Sequence, residues 1–385
     1  MIARRIAERV CALARTFPVV TIEGPRQSGK TTLARMAFPD WSYANLEDTA
    51  TRKLAETDPR GFLAKFPAPA VIDEIQRVPA LLSDIQVEVD RRGGTGLYVL
   101  TGSHRPRLKE GVSQTLAGRT ALVTLLPLSI EELRAAGIDC SRDEYIFRGF
   151  LPAIYDRGQN PADAYEAYYR TYVERDVRQL VNITHQGEFE LFLRLLAGRV
   201  GQVVNLESMA GDVGVSSTTL KEWLSVLEAS FVIFRVAPYY NNFGKRFIKS
   251  PKVYFTDVGL AAHLLDITAA EQVARDPLLG GLFENLVMAE ALKARYNNGR
   301  DGRIYFMRDK TGCEIDLVFE NQRRLSFIEI KSAQTPNDEM AANIRTLRKS
   351  TGAGEKAYVI YSGESWPLKD GDGFVNFRDT AVVVN

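Results

Sequence analysis

Metal-binding and cross-linking residues are scarce in this sequence. Its 385 residues include three cysteines, Cys11, Cys140 and Cys313, and three histidines, all widely separated. No Cys-x-x-Cys pair and no disulfide framework can be drawn from them, which sets aside zinc and a cross-linked secreted scaffold. No run of about 18 apolar residues occurs, so no membrane-spanning helix and no membrane partner are expected. The first ten residues mix charged and apolar positions without the apolar core of a secretory signal, and a cytoplasmic protein is expected. Charge of one sign is also missing. Lysine and arginine number 49 against 48 acids, a formal net charge of +1. No chain-wide field argues for nucleic acid, and any such contact has to be local. Internal repeats and low-complexity segments are absent too.

One stretch organises what is present. Gly24-Pro25-Arg26-Gln27-Ser28-Gly29-Lys30-Thr31 fits the phosphate-loop pattern G-x-x-x-x-G-K-[ST]. Phosphates need several backbone N–H donors converging on one point, and glycines let the backbone close around them. Lys30 supplies a point charge for the terminal phosphates, and the Thr31 hydroxyl can ligate Mg²⁺. The apolar run from Phe17 to Ile22 reads as a buried strand before the loop. Thr31-Thr32-Leu33-Ala34-Arg35-Met36 opens a helix after it, which puts the phosphates at a helix N-terminus. Arg26 is either a phosphate contact or a solvated loop residue.

About forty residues on, Ala70-Val71-Ile72-Asp73-Glu74 is an apolar strand ending in two acids, the expected partner of a phosphate loop. Asp73 would hold Mg²⁺ through water and Glu74 would polarise the attacking water. Leu97 to Ser103 is a further strand, ending in Thr101 and Ser103, either of which can sense the γ-phosphate or the water. Strands at 41–46 and 121–127 complete the set. Strands alternating with helical stretches predict an α/β fold, a parallel sheet with helices on both faces. Ligands of such sheets bind beyond the carboxyl ends of the strands, where Lys30, Asp73 and Ser103 all fall.

The phosphate-loop stretch, Ile72-Asp73-Glu74-Ile75-Gln76, Leu100-Thr101-Gly102-Ser103 and Leu116-Ala117-Gly118-Arg119 together resemble a prokaryotic family of AAA+-type ATPases. Members of that family carry a C-terminal domain of unassigned function. The resemblance implies an ATP-binding core over 1–128 with Walker A, Walker B and sensor elements. It makes Arg119 a candidate arginine finger or sensor, in its own or a neighbouring subunit of a homo-oligomer. The alternative for Arg119 is an ordinary surface ion pair.

Residues 129–185 read as a helical lid or connector. Ser129 is followed by acids in a helix-start pattern. A helical run from Ala162 to Val181 carries Tyr165, Tyr168, Tyr169 and Tyr172 at the spacing of a core stripe. The Glu174–Arg178 stretch resembles a family motif, and its mixed charges otherwise describe a solvated face.

Residues 186–265 have the layout of a winged helix. Asn205–Val215 reads as a short helix and glycine turn, and Ser216–Glu228 as a capped second helix presenting Ser217, Thr218 and Lys221. Strands at 230–236 and 253–255 flank Tyr239 to Lys252, a segment without acids that holds Lys245, Arg246, Lys249 and Lys252 with Tyr239, Tyr240 and Phe243. Such a hairpin suits phosphate contact, or the module serves protein contacts alone.

In 266–385, Glu284 lies on a helix, Asp316 on a strand, and Glu329 and Lys331 on the next strand, two apart and so on one face. The order resembles PD-(D/E)xK nucleases and implies a small mixed sheet, Glu284, Asp316 and Glu329 on Mg²⁺, and Lys331 beside the water. The leading proline of that motif is missing, since Cys313-Glu314-Ile315 precedes Asp316. Paired carboxylates and lysines on adjacent strands also occur as plain ion pairs.

The whole-chain expectation is an ATP- and Mg²⁺-dependent protein acting on double-stranded DNA. The alternative is a nucleotide-dependent switch or scaffold whose nuclease-like domain is inert.

Overall fold

The computed structural model describes residues 1–103, 115–177, 186–239, 250–309, 312–321, 324–352, 354, 356–367 and 372–384. The chain divides into two compact units. One comprises Met1–Leu128 with Ala229–Phe231 and Tyr296–Arg300, and the other Ser129–Glu228, Val232–Arg295 and Asp301–Asn385.

The first unit is built on five parallel strands. In chain order its elements are α1 (Ala7–Ala14), β1 (Val19–Glu23), α2 (Lys30–Ala37), β2 (Ser42–Asn45), two short helices at Thr49–Thr57 and Pro59–Lys65, β3 (Ala70–Asp73), α3 (Leu81–Arg92), β4 (Tyr98–Gly102) and β5 (Thr120–Thr124). The sheet order is β2-β3-β4-β1-β5. β1 and β4 are buried at every position, as strands covered on both faces must be. Alternation along each strand splits the core in two. Val19, Ile72, Tyr98 and Leu100 pack with Leu81, Ile85 and Val89 of α3 on one face. Val20, Ile22, Val71, Val99 and Val123 pack with Val10 of α1 and Leu33 and Ala34 of α2 on the other. The expected α/β class, with helices on both faces of a parallel sheet, is what the chain adopts.

The second unit begins with helices at Ile130–Ala135, Arg142–Arg148, Pro152–Asp156 and Pro161–Tyr168. Ser129 and Ser141 each close a capping box, with Glu132 and Glu144. The expected single helix beyond Ala162 is α-helical only to Tyr168 and turns π-helical over Tyr169–Val177. Tyr165, Tyr168, Tyr169 and Tyr172 are buried. Residues 178–185, including Arg178, lie outside the described residues, as do the side chains of Glu174, Arg175 and Asp176. Next come α4 (Gln186–Ala197), α5 (Leu206–Val213) and α6 (Ser217–Ala229). Asn205 caps α5, and Gly214 ends it in the left-handed conformation that glycine adopts without cost. Trp223 of α6 packs on Phe189 and Phe192 of α4, at ring separations of 5.3 and 5.7 Å.

An eight-stranded mixed sheet completes the unit. Its members are β6 (Ile233–Pro238), β7 (Lys252–Phe255), β8 (Tyr305–Arg308), β9 (Glu314–Asn321), β10 (Arg324–Lys331), β11 (Lys356–Tyr361), β12 (Trp366–Pro367) and β13 (Gly373–Asn376), in the order β12-β13-β11-β10-β9-β8-β6-β7. The antiparallel pair β9–β10 is in the register Leu317↔Ile328. β6 pairs with β7 antiparallel and with β8 parallel, so the strands expected to flank a free wing belong to the same sheet as the C-terminal strands. Tyr240, Phe243, Lys245, Arg246 and Lys249 lie outside the described residues. Lys252 is 2% exposed and is not a solvent-facing wing lysine. Among the described residues, no helix is long and apolar enough to cross a membrane.

A long buried helix, α7 (Leu279–Asn297), pins β7. The Asn285 side chain accepts from the Phe255 N–H at 2.7 Å and donates to the Phe255 carbonyl at 2.8 Å. Asn285→Ala leaves both backbone groups buried and unpaired, an expected loss of about 2–4 kcal/mol. Urea denaturation followed by the tryptophan fluorescence of the full chain checks this, and an unchanged midpoint would assign no weight to the clamp.

Candidate nucleotide site and a second charged cluster

The phosphate loop leaves β1 at its carboxyl end. Gly24 is required there by space. A Cβ on it would lie 2.0 Å from the Leu125 carbonyl oxygen. Gln27 and Gly29 take positive φ values of 61° and 91°, which turn the backbone of the loop inward ahead of α2. Arg4 braces the loop from outside, donating to the Ser28 carbonyl at 2.6 Å and the Leu126 carbonyl at 2.7 Å.

The residues of this loop fit a bound phosphate. The Ser28 hydroxyl is buried with no hydrogen-bond partner. The Lys30 ammonium, 5% exposed, donates to the Gly24 and Pro25 carbonyls at 3.0 and 2.7 Å. These are groups of the loop itself, and a phosphate would replace them with a charged acceptor. Burial pushes the Lys30 ammonium down to about 8, against the upward pull of Glu74 and Asp73. Arg26 lies 3.7 Å from Glu47. Gln27 and Thr32 are exposed.

Asp73 ends β3 at the same side of the sheet. Its buried carboxylate accepts from the Thr31 hydroxyl at 3.0 and 2.9 Å, from the Tyr43 hydroxyl at 2.9 Å, and from the Thr101 hydroxyl. Thr31 and Asp73, a hydroxyl and a carboxylate in contact, are hard oxygen donors of the kind Mg²⁺ takes. Glu74 follows in the left-handed region, at φ 61° and ψ 44°. Its N–H donates to Thr101 Oγ1 at 3.1 Å. Its carboxylate accepts from Gln76 Nε2 and from Ser103 Oγ at 3.3 Å, and Gln76 also donates to Ser103 at 3.1 Å. Lys30, Thr31, Asp73, Glu74 and Ser103 are thus brought to one end of the sheet.

Arg119 is not. β1 and β5 pair with Val19 opposite Thr120 and Glu23 opposite Thr124, so Arg119 sits at the far end of the strand from Gly24. The separation is about 13–16 Å along the sheet, at about 3.3 Å per residue. There Arg119 holds Asp90 with two hydrogen bonds of 2.6 and 2.9 Å. Sequence reasoning missed Arg4 and Tyr43, which carry no motif. Gln76 ends the Ile72–Gln76 stretch that carries the resemblance, but it was given no role, and its place two residues past Glu74 was the signal.

A second cluster lies in the other unit. On β10, Lys331 Nζ is 2.7 Å from Glu329 and 3.7 Å from Asp316 of β9. Asp316 also accepts from the Ile330 N–H at 2.8 Å. Burial and the neighbouring Asp316 carboxylate push the Glu329 carboxyl up to about 9, and its Oε1 has no partner. Burial, with Asp316 again adjacent, lifts Glu284 of α7 to about 7. The expected Glu284, Asp316, Glu329 and Lys331 therefore do meet. Lys252, Tyr254 and Glu314 join them. Lys252 and Tyr254 are two apart on β7, so both reach Glu284 Oε1, at 2.8 and 2.6 Å. Lys252 also pairs with Glu314 and lies 3.9 Å from Asp316. Burial pulls the Lys252 ammonium down, but Glu284, Asp316 and Glu314 more than reverse this and hold it above the usual lysine value. Among the described residues, no group of three or more His, Cys, Asp and Glu side chains is arranged to hold a metal ion.

Residues 16–134 match the AAA domain. Across 373 residues, 95% of this chain and 82% of theirs, the sequence is 30% identical to the uncharacterized proteins Rv2008c of Mycobacterium tuberculosis and Mb2031c of Mycobacterium bovis. The chain belongs to their family, one of AAA-type ATPases. Residues 141–271 and 279–378 match two domains of unknown function, DUF8612 and DUF4143. Among solved structures, the Walker-type ATPase PABY2304 of Pyrococcus abyssi aligns with 69% of this chain and 96% of its own, at 13% identity and a TM-score of 0.46. AMPPCP-bound DnaA of Aquifex aeolicus aligns with 58% of this chain and 86% of its own, at 13% identity and a TM-score of 0.29.

The lowered Lys30 value has a consequence for this AAA-type ATPase. A triphosphate bound at the loop would hold the lysine charged, so above pH 8 binding would take up a proton. ATP affinity is expected to fall as pH rises through about 8, approaching tenfold per unit. Calorimetry at pH 7 and pH 9.5, in buffers of different ionisation enthalpy, measures both the affinity and the proton. No uptake at pH 9.5 would mean that Lys30 is already charged in the free protein.

Proposed function

We propose that this protein hydrolyses ATP with Mg²⁺, using Glu74 to activate water. The observation that carries the reading is the convergence of the Lys30 ammonium, the Thr31–Asp73 pair and the Glu74 carboxylate beyond the carboxyl ends of β1 and β3. Mg²⁺ on Thr31 and Asp73 would supply charge neutralisation at the phosphate oxygens. The backbone of Gly24–Lys30 orients the phosphates, and Ser28 gains the partner its buried hydroxyl lacks. Lys30 draws the terminal phosphate's charge toward the loop. Glu74 takes the proton of the attacking water, while Gln76 and Ser103 fix the direction of its carboxylate. Arg119, paired with Asp90, reads as an ion pair within its own chain, and a finger role would require a neighbouring copy.

Glu74→Gln keeps the shape of the side chain and removes the base. ATP binding is expected to survive while turnover drops by about 100-fold or more. Fluorescent-nucleotide titration and phosphate release measure the two separately, and turnover at the parent rate removes Glu74 from the mechanism.

A second reading adds DNA as the object of the ATPase. It is favoured by α5, the Gly214 turn and α6, which leave Thr218, Lys221 and Ser225 exposed along one helix face. Duplex DNA should then bind more weakly as salt rises, and Lys221→Glu should weaken it further. Binding that ignores both salt and the substitution would leave the ATPase a switch or scaffold.

A further inference from the structure

The PD-(D/E)xK resemblance calls for a divalent ion among Glu284, Asp316 and Glu329. The residues present do not fit one, because a lysine already stands there. Lys252 Nζ lies 2.8 Å from Glu284 Oε1 and 3.9 Å from Asp316 Oδ1, and pairs with Glu314 as well. The Phe306 ring covers it, with its centroid 5.5 Å from the nitrogen. The side chain is 3% exposed, so the ammonium has no water shell to yield to an incoming ion. Mg²⁺ needs a near-octahedral set of oxygens and keeps several waters, and neither fits a seat closed by an ammonium and an aromatic ring.

Charge leads to the same conclusion. Four carboxylates, Glu284, Glu314, Asp316 and Glu329, face three cations, Lys252, Lys331 and Arg308, the last 3.4 Å from Glu314. Little negative charge is left over to hold a dication. The chemistry is that of an acidic metal site satisfied from within the chain, by a residue 32 positions before Glu284. Backbone geometry keeps it there. Asn285 fixes Phe255 to α7, and the alternation of β7 then aims Lys252 and Tyr254 at the neighbouring Glu284.

We propose that Lys252 is a built-in cation that takes the place of the divalent ion in the C-terminal unit. The cluster then holds together without metal and does not cut phosphodiesters, and removal of Lys252 opens a divalent-cation site on Glu284, Glu314 and Asp316. The inference does not depend on ATP turnover, which occurs in the other unit.

Mn²⁺ is the probe, followed by electron paramagnetic resonance on the nucleotide-free full chain. The parent and Asp316→Asn should bind Mn²⁺ equally, since any ion at Asp73 is common to both. Lys252→Ala should gain one ion and bind Mn²⁺ about tenfold or more tighter than the parent, and the gain should vanish in Lys252→Ala/Asp316→Asn. The melting temperature of Lys252→Ala should drop without metal and rise with Mn²⁺ by more than the parent's, and the extra rise should vanish in Lys252→Ala/Asp316→Asn. Lys252→Gln, which keeps the stem and loses only the charge, carries the same test if Lys252→Ala does not fold. One Mn²⁺ on the parent chain that Asp316→Asn abolishes overturns the proposal. So does a folded Lys252 variant that gains no ion, or Mn²⁺-dependent DNA cleavage by the parent that Glu329→Ala abolishes.

Discussion

Asp73 is the fixed point of the first unit. Its carboxylate ends a buried parallel strand and collects hydroxyls from α2, β2 and β4 through Thr31, Tyr43 and Thr101. A buried carboxylate is costly unless its oxygens are satisfied, and three donors from three elements satisfy it. The same bonds tie the phosphate loop to the strand that carries Glu74. The loop, the Thr31–Asp73 pair and the Glu74 carboxylate are held in one frame because one acceptor requires it. The left-handed backbone at Glu74 belongs to this frame. An L-residue there costs about 1 kcal/mol or more, and the bond from its N–H to Thr101 helps to hold it.

Much of this was legible in the sequence, and the reasons are local. Glycine spacing, a Lys-Thr pair at a helix start and an Asp-Glu at a strand end are contiguous patterns that chemistry forces. Apolar strands alternating with helical stretches likewise predict a parallel sheet. Arg4, Tyr43 and Gln76 were not legible. Their roles come from tertiary distance, as with Arg4, which reaches carbonyls at Ser28 and Leu126. Arg119 was legible only by analogy. The strand between it and the loop carries it to the other end of the sheet.

In the second unit, the nuclease resemblance, with strand alternation for Glu329 and Lys331 alone, grouped Glu284, Asp316, Glu329 and Lys331, and the geometry brings them together. It could not give Lys252. In sequence that lysine belongs to a basic, aromatic segment with the signature of a solvent-facing hairpin. In space it is the counter-ion of a buried acidic cluster. Composition describes the segment, whereas the pairing of β7 with β6 and the clamp from Asn285 decide the direction of the side chain. Runs of like charge mostly face solvent, but here one member turns inward to meet Glu284, Glu314 and Asp316.

The pairing of β6 with β8 bears on how such a protein can be inherited. Residues 279–378 match a domain of unknown function, and that stretch begins after Lys252 and Tyr254. A recombination event that moved this stretch alone would carry Glu284, Glu314, Asp316 and Glu329 away from the lysine that balances them, and would expose the edge of β8. The structural unit that keeps these charges balanced is therefore longer than the matched stretch. It includes β6 and β7 as well as α7 and the acids.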